Sequence, residues 1–272
     1  AQADGATVLI TTGGAQSNHA RMTAAAACRL GMRCLLVLAD APPAEEQGNL
    51  LLDRWFGAEV RFLPDASLAE LERAMESAAR ELANRGERPY IIPVGGSTPL
   101  GCLGYVRAVR ELAVQARERA LSPRAMVVAV GSCGTLAGMV LGARCYLPQC
   151  SVVGVSVSRP AARASEQVAR IASEAAARLG LPYRFAPEEC PVYDDWIGPG
   201  YGIPTPEGVA AIELAARCEG LVVDPVYTGK ALAGVRGLAA RGVLPQEAPV
   251  VFWHTGGAPA LFAFPDLMRR RS

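Results

Sequence analysis

Five glycine-rich segments carry the side chains whose types and spacing could do chemistry. Gly13 and Gly14 are followed by Gln16, Ser17, Asn18 and His19. The glycines allow a tight turn, after which amide, hydroxyl and imidazole groups stand at the start of a helix, where an anion or a ring oxygen can be held. Ser17 and Asn18 are also ordinary helix caps, and this segment alone does not separate the two uses. Gly131-Ser132-Cys133-Gly134-Thr135 joins several backbone N–H groups to two hydroxyls at a helix start, which is the chemistry of a phosphate cup. It is neither a dinucleotide fingerprint nor a Walker loop, because the glycine spacing differs and no lysine follows. The stretch from Asp194 to Gly208 is too rich in Gly and Pro for a packed element and too aromatic for a linker, as binding loops often are. Asp224 to Lys230 and His254-Thr255-Gly256-Gly257 complete the set. No carboxylate partner for His254 can be placed from the sequence, so it reads as a structural histidine.

Short Val, Ile and Leu runs alternate with Ala, Leu, Arg and Glu stretches of helical period, the signature of parallel strands joined by helices. Strands are expected at 7–10, 33–38, 59–62, 90–93, 125–130, 151–157, 221–224 and 250–253. Helices are expected at 17–30, 46–56, 67–85, 101–119, 134–146, 160–179, 205–219 and 229–241. The fold class is therefore α/β, with two Rossmann-like parallel-sheet lobes facing a cleft, the first over 1–104 and the second over 105–272. Ligands of such sheets bind outside the carboxyl ends of the strands. The glycine-rich segments fall at those ends, which makes the shared cleft the expected site.

Composition narrows the function classes. Of 272 residues, 51% are hydrophobic, 19% charged and 6% aromatic, which argues against disorder, collagen-like repeats and a disulfide-built miniprotein. The formal net charge of +1 gives no field for gripping nucleic acid or an anionic membrane, and the only basic run, Arg269 to Arg271, is a tail. Eight cysteines and two histidines show no metal-ligand spacing, and the thiols read as small buried apolar groups of a reduced, cytoplasmic protein. No apolar stretch is long enough to span a membrane, and Ala1 to Gly5 lack the features of a leader, so neither is expected. Basic residues number 27, and Lys230 is the single lysine among them.

Six motifs, in order and over nearly the whole chain, resemble the D-cysteine desulfhydrase and 1-aminocyclopropane-1-carboxylate deaminase family. They are Thr-Thr-Gly-Gly-Ala-Gln-Ser-Asn-His-Ala-Arg (11–21), Pro-Leu-Gly-Cys-Leu-Gly-Tyr-Val (99–106), Gly-Ser-Cys-Gly-Thr (131–135), Gly-Pro-Gly-Tyr-Gly-Ile-Pro-Thr-Pro-Glu-Gly (198–208), Asp-Pro-Val-Tyr-Thr-Gly-Lys-Ala (224–231) and His-Thr-Gly-Gly-Ala-Pro-Ala-Leu-Phe (254–262). That family belongs to the fold type II pyridoxal-phosphate enzymes, relatives of the tryptophan synthase β chain. The resemblance implies pyridoxal 5′-phosphate as cofactor, a small amino acid as substrate and a homodimer. It also implies a small domain over 1–104 and a large cofactor-holding domain over 105–272.

Carried over by position, the resemblance gives Gly131, Ser132, Cys133, Gly134 and Thr135 the cofactor phosphate, with Cys133 standing where relatives usually have glycine. Asn18 would hydrogen-bond the pyridoxal 3′ oxygen, while Ser17, Asn18 and His19 would lie beside the substrate carboxylate. Ser17 is also a candidate for proton transfer or nucleophilic attack. Tyr201 and Tyr227 would face the substrate, where a phenol can relay a proton. Thr228 would lie at the cofactor and Thr255 at its ring nitrogen, where the deaminase branch has Glu and Leu. A neutral Thr implies a weaker electron sink, suited to β-elimination of a thiolate better than to opening a cyclopropane ring. The resemblance thus points to a carbon–sulfur lyase converting D-cysteine to pyruvate, hydrogen sulfide and ammonia. The alternatives are sulfite elimination from cysteate and 1-aminocyclopropane-1-carboxylate deamination.

One departure qualifies this expectation. The lysine to which relatives attach the cofactor lies upstream of their Gln-Ser-Asn-His stretch, and this chain is expected to begin after it, as an N-terminally truncated member. Lys230 belongs to a separate motif and reads as a packing lysine near the helix start. A lysine-less pseudoenzyme that binds pyridoxal phosphate or an amino acid without turnover is the alternative of a different class. An α/β protein for another phosphate ligand is a third.

Overall fold

The alternation of strands and helices becomes two separate four-stranded parallel sheets in the computed structural model, which describes residues 1–269. The chain divides into one unit of residues 1–96 with those from 259 onward, and a second of 97–258. Ser97, the first residue of the second unit, hydrogen-bonds Ser132 and Gly134 of that unit. Arg270 and Arg271 of the basic run lie outside the described residues.

In the first unit, β1 (Val8–Gly13), α1 (Asn18–Arg29), β2 (Arg33–Leu38), α2 (Gly48–Trp55), β3 (Glu59–Phe62), α3 (Leu68–Asn84) and β4 (Pro89–Ile91) give a sheet of order β3-β2-β1-β4. Strand side chains alternate between faces. Leu9, Cys34, Leu36 and Leu38 therefore pack with Ala20, Ala24 and Ala27 of α1, while Val8, Ile10, Leu35 and Val37 pack with Leu71, Met75, Ala78 and Leu82 of α3. The helix residues recur at three- and four-residue spacing, the period of one buried stripe. A capping box of Ser67 and Glu70 opens α3. Ser17 opens α1, its Oγ accepting from the Ala20 N–H at 3.2 Å.

In the second unit, α4 (Leu103–Glu118), β5 (Ala125–Val130), α5 (Gly134–Tyr146), β6 (Ser151–Ser156), α6 (Ala161–Arg178), β7 (Val192–Tyr193), α7 (Pro206–Glu219), α8 (Thr228–Ala240) and β8 (Val250–Phe252) give a sheet of order β7-β6-β5-β8. Every residue of β5 is buried, as in a parallel strand covered on both faces. Met126, Val128 and Val130 meet α4, α5 and α6, whereas Ala125, Val127 and Ala129 meet α8 and Trp196. Helices α4 and α5 approach so closely that a Cβ at Gly142 would lie 2.8 Å from the Val109 Cβ. Two short helices follow, α9 (Ala258–Leu261) and α10 (Pro265–Arg269), which from residue 259 onward belong to the first unit. Among the described residues no helix is long and apolar enough to cross a membrane.

One expected strand does not form. Residues 221–224 are irregular, with Leu221 and Val222 exposed. The Val222 carbonyl is taken by His254 at 2.8 Å, and the Asp224 N–H by the Thr228 hydroxyl at 2.8 Å. Side chains thus occupy backbone groups that a ladder would use. The fourth place in the sheet goes to β7, only two residues long, paired with Gly154 and Val155 of β6.

Candidate active site

In the second unit β5 ends at Val130 and α5 begins at Gly134, so the intervening turn crosses the carboxyl end of the sheet. Cys133 takes the N-cap position with φ 77°, a left-handed conformation that favours glycine. Its thiol is buried, and burial raises its pKa against the opposing pull of Arg159. The thiol is therefore a protonated packing group rather than a nucleophile. The N–H groups of Ser132, Cys133 and Thr135 find no protein acceptor among the described residues. The Gly134 N–H donates to Ser97 Oγ at 3.0 Å, and the Ser97 hydroxyl donates to Ser132 Oγ at 2.7 Å. That leaves the Ser132 proton free to be given outward. A Cβ at Gly134 would lie 2.6 Å from Ser97 Oγ, so only glycine fits. Free N–H groups and hydroxyls at the positive end of a helix fit a phosphate dianion, and with it the phosphate of pyridoxal phosphate.

Tyr227 stands beside this cup, since a Cβ on Gly131 would lie 3.7 Å from its ring. Its hydroxyl hydrogen-bonds that of Tyr201, and the rings meet edge to face with centroids 5.9 Å apart. Two buried charged groups hold the pair in place. Asp224 accepts from the N–H groups of Val226, Tyr227 and Thr228 at 2.9, 2.9 and 2.8 Å and from the Thr228 hydroxyl at 2.6 Å. This aspartate turn opens α8 and fixes Tyr227. Lys230 is fully buried, and its Nζ donates to the carbonyls of Ile197 and Gly200 at 2.7 and 3.0 Å. Desolvation lowers its pKa, with Asp224 pulling the other way. The ammonium ties the loop that carries Tyr201 to the helix that follows Tyr227, the packing role that the motif suggested.

The turn after β8 lies on Asp224: a Cβ at Gly257, where φ is 107°, would fall 2.5 Å from Asp224 Oδ1. His254 accepts from the Gly256 N–H at its Nδ1, at 3.0 Å, so its Nε2 is the atom that donates to the Val222 carbonyl at 2.8 Å. It is a structural histidine. The Thr255 hydroxyl, half-buried between them in sequence, has no partner among the described residues. Thr228, by contrast, spends its hydroxyl entirely on Asp224.

In the first unit the Ser17, Asn18 and His19 group stands at the carboxyl end of β1 on the first turn of α1. Thr11 Oγ1 donates its proton to the Ile92 carbonyl at 2.8 Å, so it must accept from His19 Nε2, also at 2.8 Å. His19 is thereby a single tautomer with a lone pair on Nδ1. Burial lowers its pKa to about 4, which keeps the ring neutral. A neutral ring that spends its N–H on Thr11 cannot donate to a carboxylate. Ser17 retains its hydroxyl proton and Asn18 its amide protons, so these two supply the donors on this turn.

Ser97, Asn49 and Asp224 carry structural roles in these sites that the sequence did not single out. Asp224 lies inside the 224–231 motif, whereas Ser97 and Asn49 act through partners 35 and 31 residues away. Among the described residues no group of His, Cys, Asp and Glu could hold a metal ion. All eight cysteines are free, and five are buried.

A profile of the family described as pyridoxal-phosphate dependent enzyme matches residues 1–256. Among solved structures, the chain is similar to an ACC deaminase homologue at 39% identity and a TM-score of 0.89, covering 98% of this chain and 79% of that one. A T.th. threonine deaminase matches at 24% identity and a TM-score of 0.62, over 93% of this chain and 78% of that one. A hydrogen sulfide-producing enzyme matches at 14% identity and a TM-score of 0.65, over 100% of this chain and 77% of that one. The last two share the fold.

Proposed function

The chain belongs to the pyridoxal-phosphate dependent enzyme family, and from that premise we propose that it serves as a lyase that eliminates the β-substituent of a small amino acid. D-cysteine is the substrate we favour. The balance is D-cysteine plus water giving pyruvate, hydrogen sulfide and ammonia. When bound, pyridoxal phosphate supplies the electron sink that makes the substrate α-proton acidic.

The protein's contribution follows from its donors. The cup of Gly131, Ser132, Cys133, Gly134 and Thr135 would hold the phosphate with backbone N–H groups and the hydroxyls of Ser132 and Thr135. Ser17 and Asn18 would give hydrogen bonds to the substrate carboxylate, with Asn18 also meeting the pyridoxal 3′ oxygen. His19 would stand beside them as a neutral wall. Tyr201 and Tyr227 share one hydrogen bond. The phenol that accepts is thereby the better donor, suited to protonating a departing thiolate.

The observation that carries the choice of leaving group is at Thr255. Asp224, on which its loop packs, spends its carboxylate on four donors. The free group for the ring nitrogen is then the neutral Thr255 hydroxyl, which favours loss of a good leaving group. The relative at 39% identity is described as an ACC deaminase homologue, so ring opening of 1-aminocyclopropane-1-carboxylate is the second reading. The test is to join the chain to a relative's lysine-bearing N-terminal segment and supply D-cysteine, L-cysteine, cysteate and 1-aminocyclopropane-1-carboxylate in turn. Sulfide and pyruvate from D-cysteine are expected. 2-Oxobutyrate from the cyclopropane substrate, without sulfide from cysteine, would favour the second reading.

A further inference from the structure

Asn49, near the start of α2, is wholly buried and lies outside the six motifs. Its polar groups are all engaged. Arg21 Nε donates to its Oδ1 at 2.9 Å, and its Nδ2 donates to the Gln16 carbonyl at 2.9 Å and to Asn18 Oδ1 at 3.0 Å. Its backbone N–H donates to Gln16 Oε1 at 2.9 Å. A side-chain amide has two orientations, and its neighbours decide between them. A guanidinium can only donate and a peptide carbonyl can only accept. The Asn49 oxygen must therefore face Arg21 and its nitrogen must face Gln16. That nitrogen in turn obliges Asn18 to accept with its oxygen, which leaves the two protons of Asn18 Nδ2 as its free face.

We propose that Asn49 is a positioning residue that presents Asn18 to the 3′ oxygen of pyridoxal phosphate as a donor and never as an acceptor. The proposal rests on the reading that Asn18 meets that oxygen. A donor there stabilises the ionised oxygen, whereas the reversed amide would set carbonyl oxygen against it. Arg21 is the group that locks Asn49, so orientation passes from a charged side chain through one buried amide to the next.

The probes are pyridoxamine 5′-phosphate, which needs no lysine to bind, and its 3-O-methyl analogue, which cannot ionise at that oxygen. Both are titrated against the chain and against Asn18→Ala, Asn49→Asp and the double variant, with thermal melting as a check on folding. Asn49→Asp keeps the shape and replaces the donor facing Asn18 by an acceptor. It is expected to weaken pyridoxamine phosphate roughly ten- to hundredfold and to move the near-ultraviolet band of the bound ring toward the un-ionised hydroxyl. The methylated analogue should change little, and the double variant should bind no worse than Asn18→Ala. Equal losses for both probes, or additive losses in the double variant, would show a merely structural role and overturn the proposal. If Asn49→Asp does not fold, Arg21→Gln takes its place, with a smaller loss of the same selectivity expected and an equal loss for both probes overturning it. A folded wild-type chain that binds neither probe overturns the cofactor reading itself, and the proposal with it.

Discussion

Two titratable residues of the first unit, Asp53 and His19, work against each other. Asp53 is 1% exposed, and neither carboxylate oxygen has a hydrogen-bond partner among the described residues. Desolvation raises its pKa to about 7, with Arg21 and Arg54 pulling it down. The Cys34 thiol is pushed up to about 12 by burial and by Asp53. The folded chain holds the Asp53 proton more tightly than the unfolded chain does. Asp53 therefore costs nothing below about pH 4 and progressively more as the pH rises to about 7. His19 has the opposite sign, because its folded pKa is depressed to about 4. Its cost is absent above about pH 6.5 and grows as the pH falls toward about 4. At ~1.4 kcal/mol per pKa unit each amounts to a few kcal/mol, and the two largely offset one another. Urea midpoints of Asp53→Asn should fall as the pH is lowered from 7 to 5, and those of His19→Gln should rise. Profiles that match wild type in both variants would refute the assignment. At Cys133 the backbone, at φ 77°, decides what is tolerated. Cys133→Gly should keep cofactor binding, whereas Cys133→Val should lose about 2 kcal/mol of stability because a β-branched residue is ill suited to that conformation. Denaturant melts of the two variants check this.

At the scale of elements, glycine contacts and one clamp set the geometry. Gly142→Ala would force α5 away from Val109 of α4 and should cost about 1–3 kcal/mol, visible as a lowered urea midpoint. Lys230→Met would leave the Ile197 and Gly200 carbonyls without their donor. The chain should then lose about 1–3 kcal/mol and become open to proteolysis between 197 and 204, while the 131–135 turn stays protected. Uniform loss of protection would contradict the local clamp. Much of this architecture was legible in the sequence. The apolar runs at 33–38 and 125–130 are strands with those bounds, because a parallel strand buried on both faces leaves a continuous apolar mark, and Glu59–Phe62, only partly buried, is a strand with the expected bounds as well. The run at 221–224 carries the same mark, yet His254 and Thr228 take its backbone groups. Only tertiary placement shows that. Likewise β7 is too short to leave any periodicity. The loop chemistry was legible because each glycine-rich segment is local. Ser97 and Asn49 were not, since neither has a function until the chain brings its distant partner to it.

For the whole molecule, the proposed function requires that the cup at 131–135 hold the cofactor without a covalent bond to Lys230, the chain's single lysine. Ser132→Asp would set a carboxylate against the phosphate and should weaken binding of pyridoxal phosphate at least tenfold, measured by absorbance titration at two salt concentrations. The most direct single measurement is to saturate the chain with pyridoxal phosphate, reduce with borohydride and map any fixed pyridoxyl group by peptide mass. Saturable binding that inorganic phosphate competes away is expected, with no label fixed on Lys230, because its ammonium is committed to two carbonyls. Stoichiometric label on Lys230, or a folded chain with no saturable binding, would contradict the proposed function.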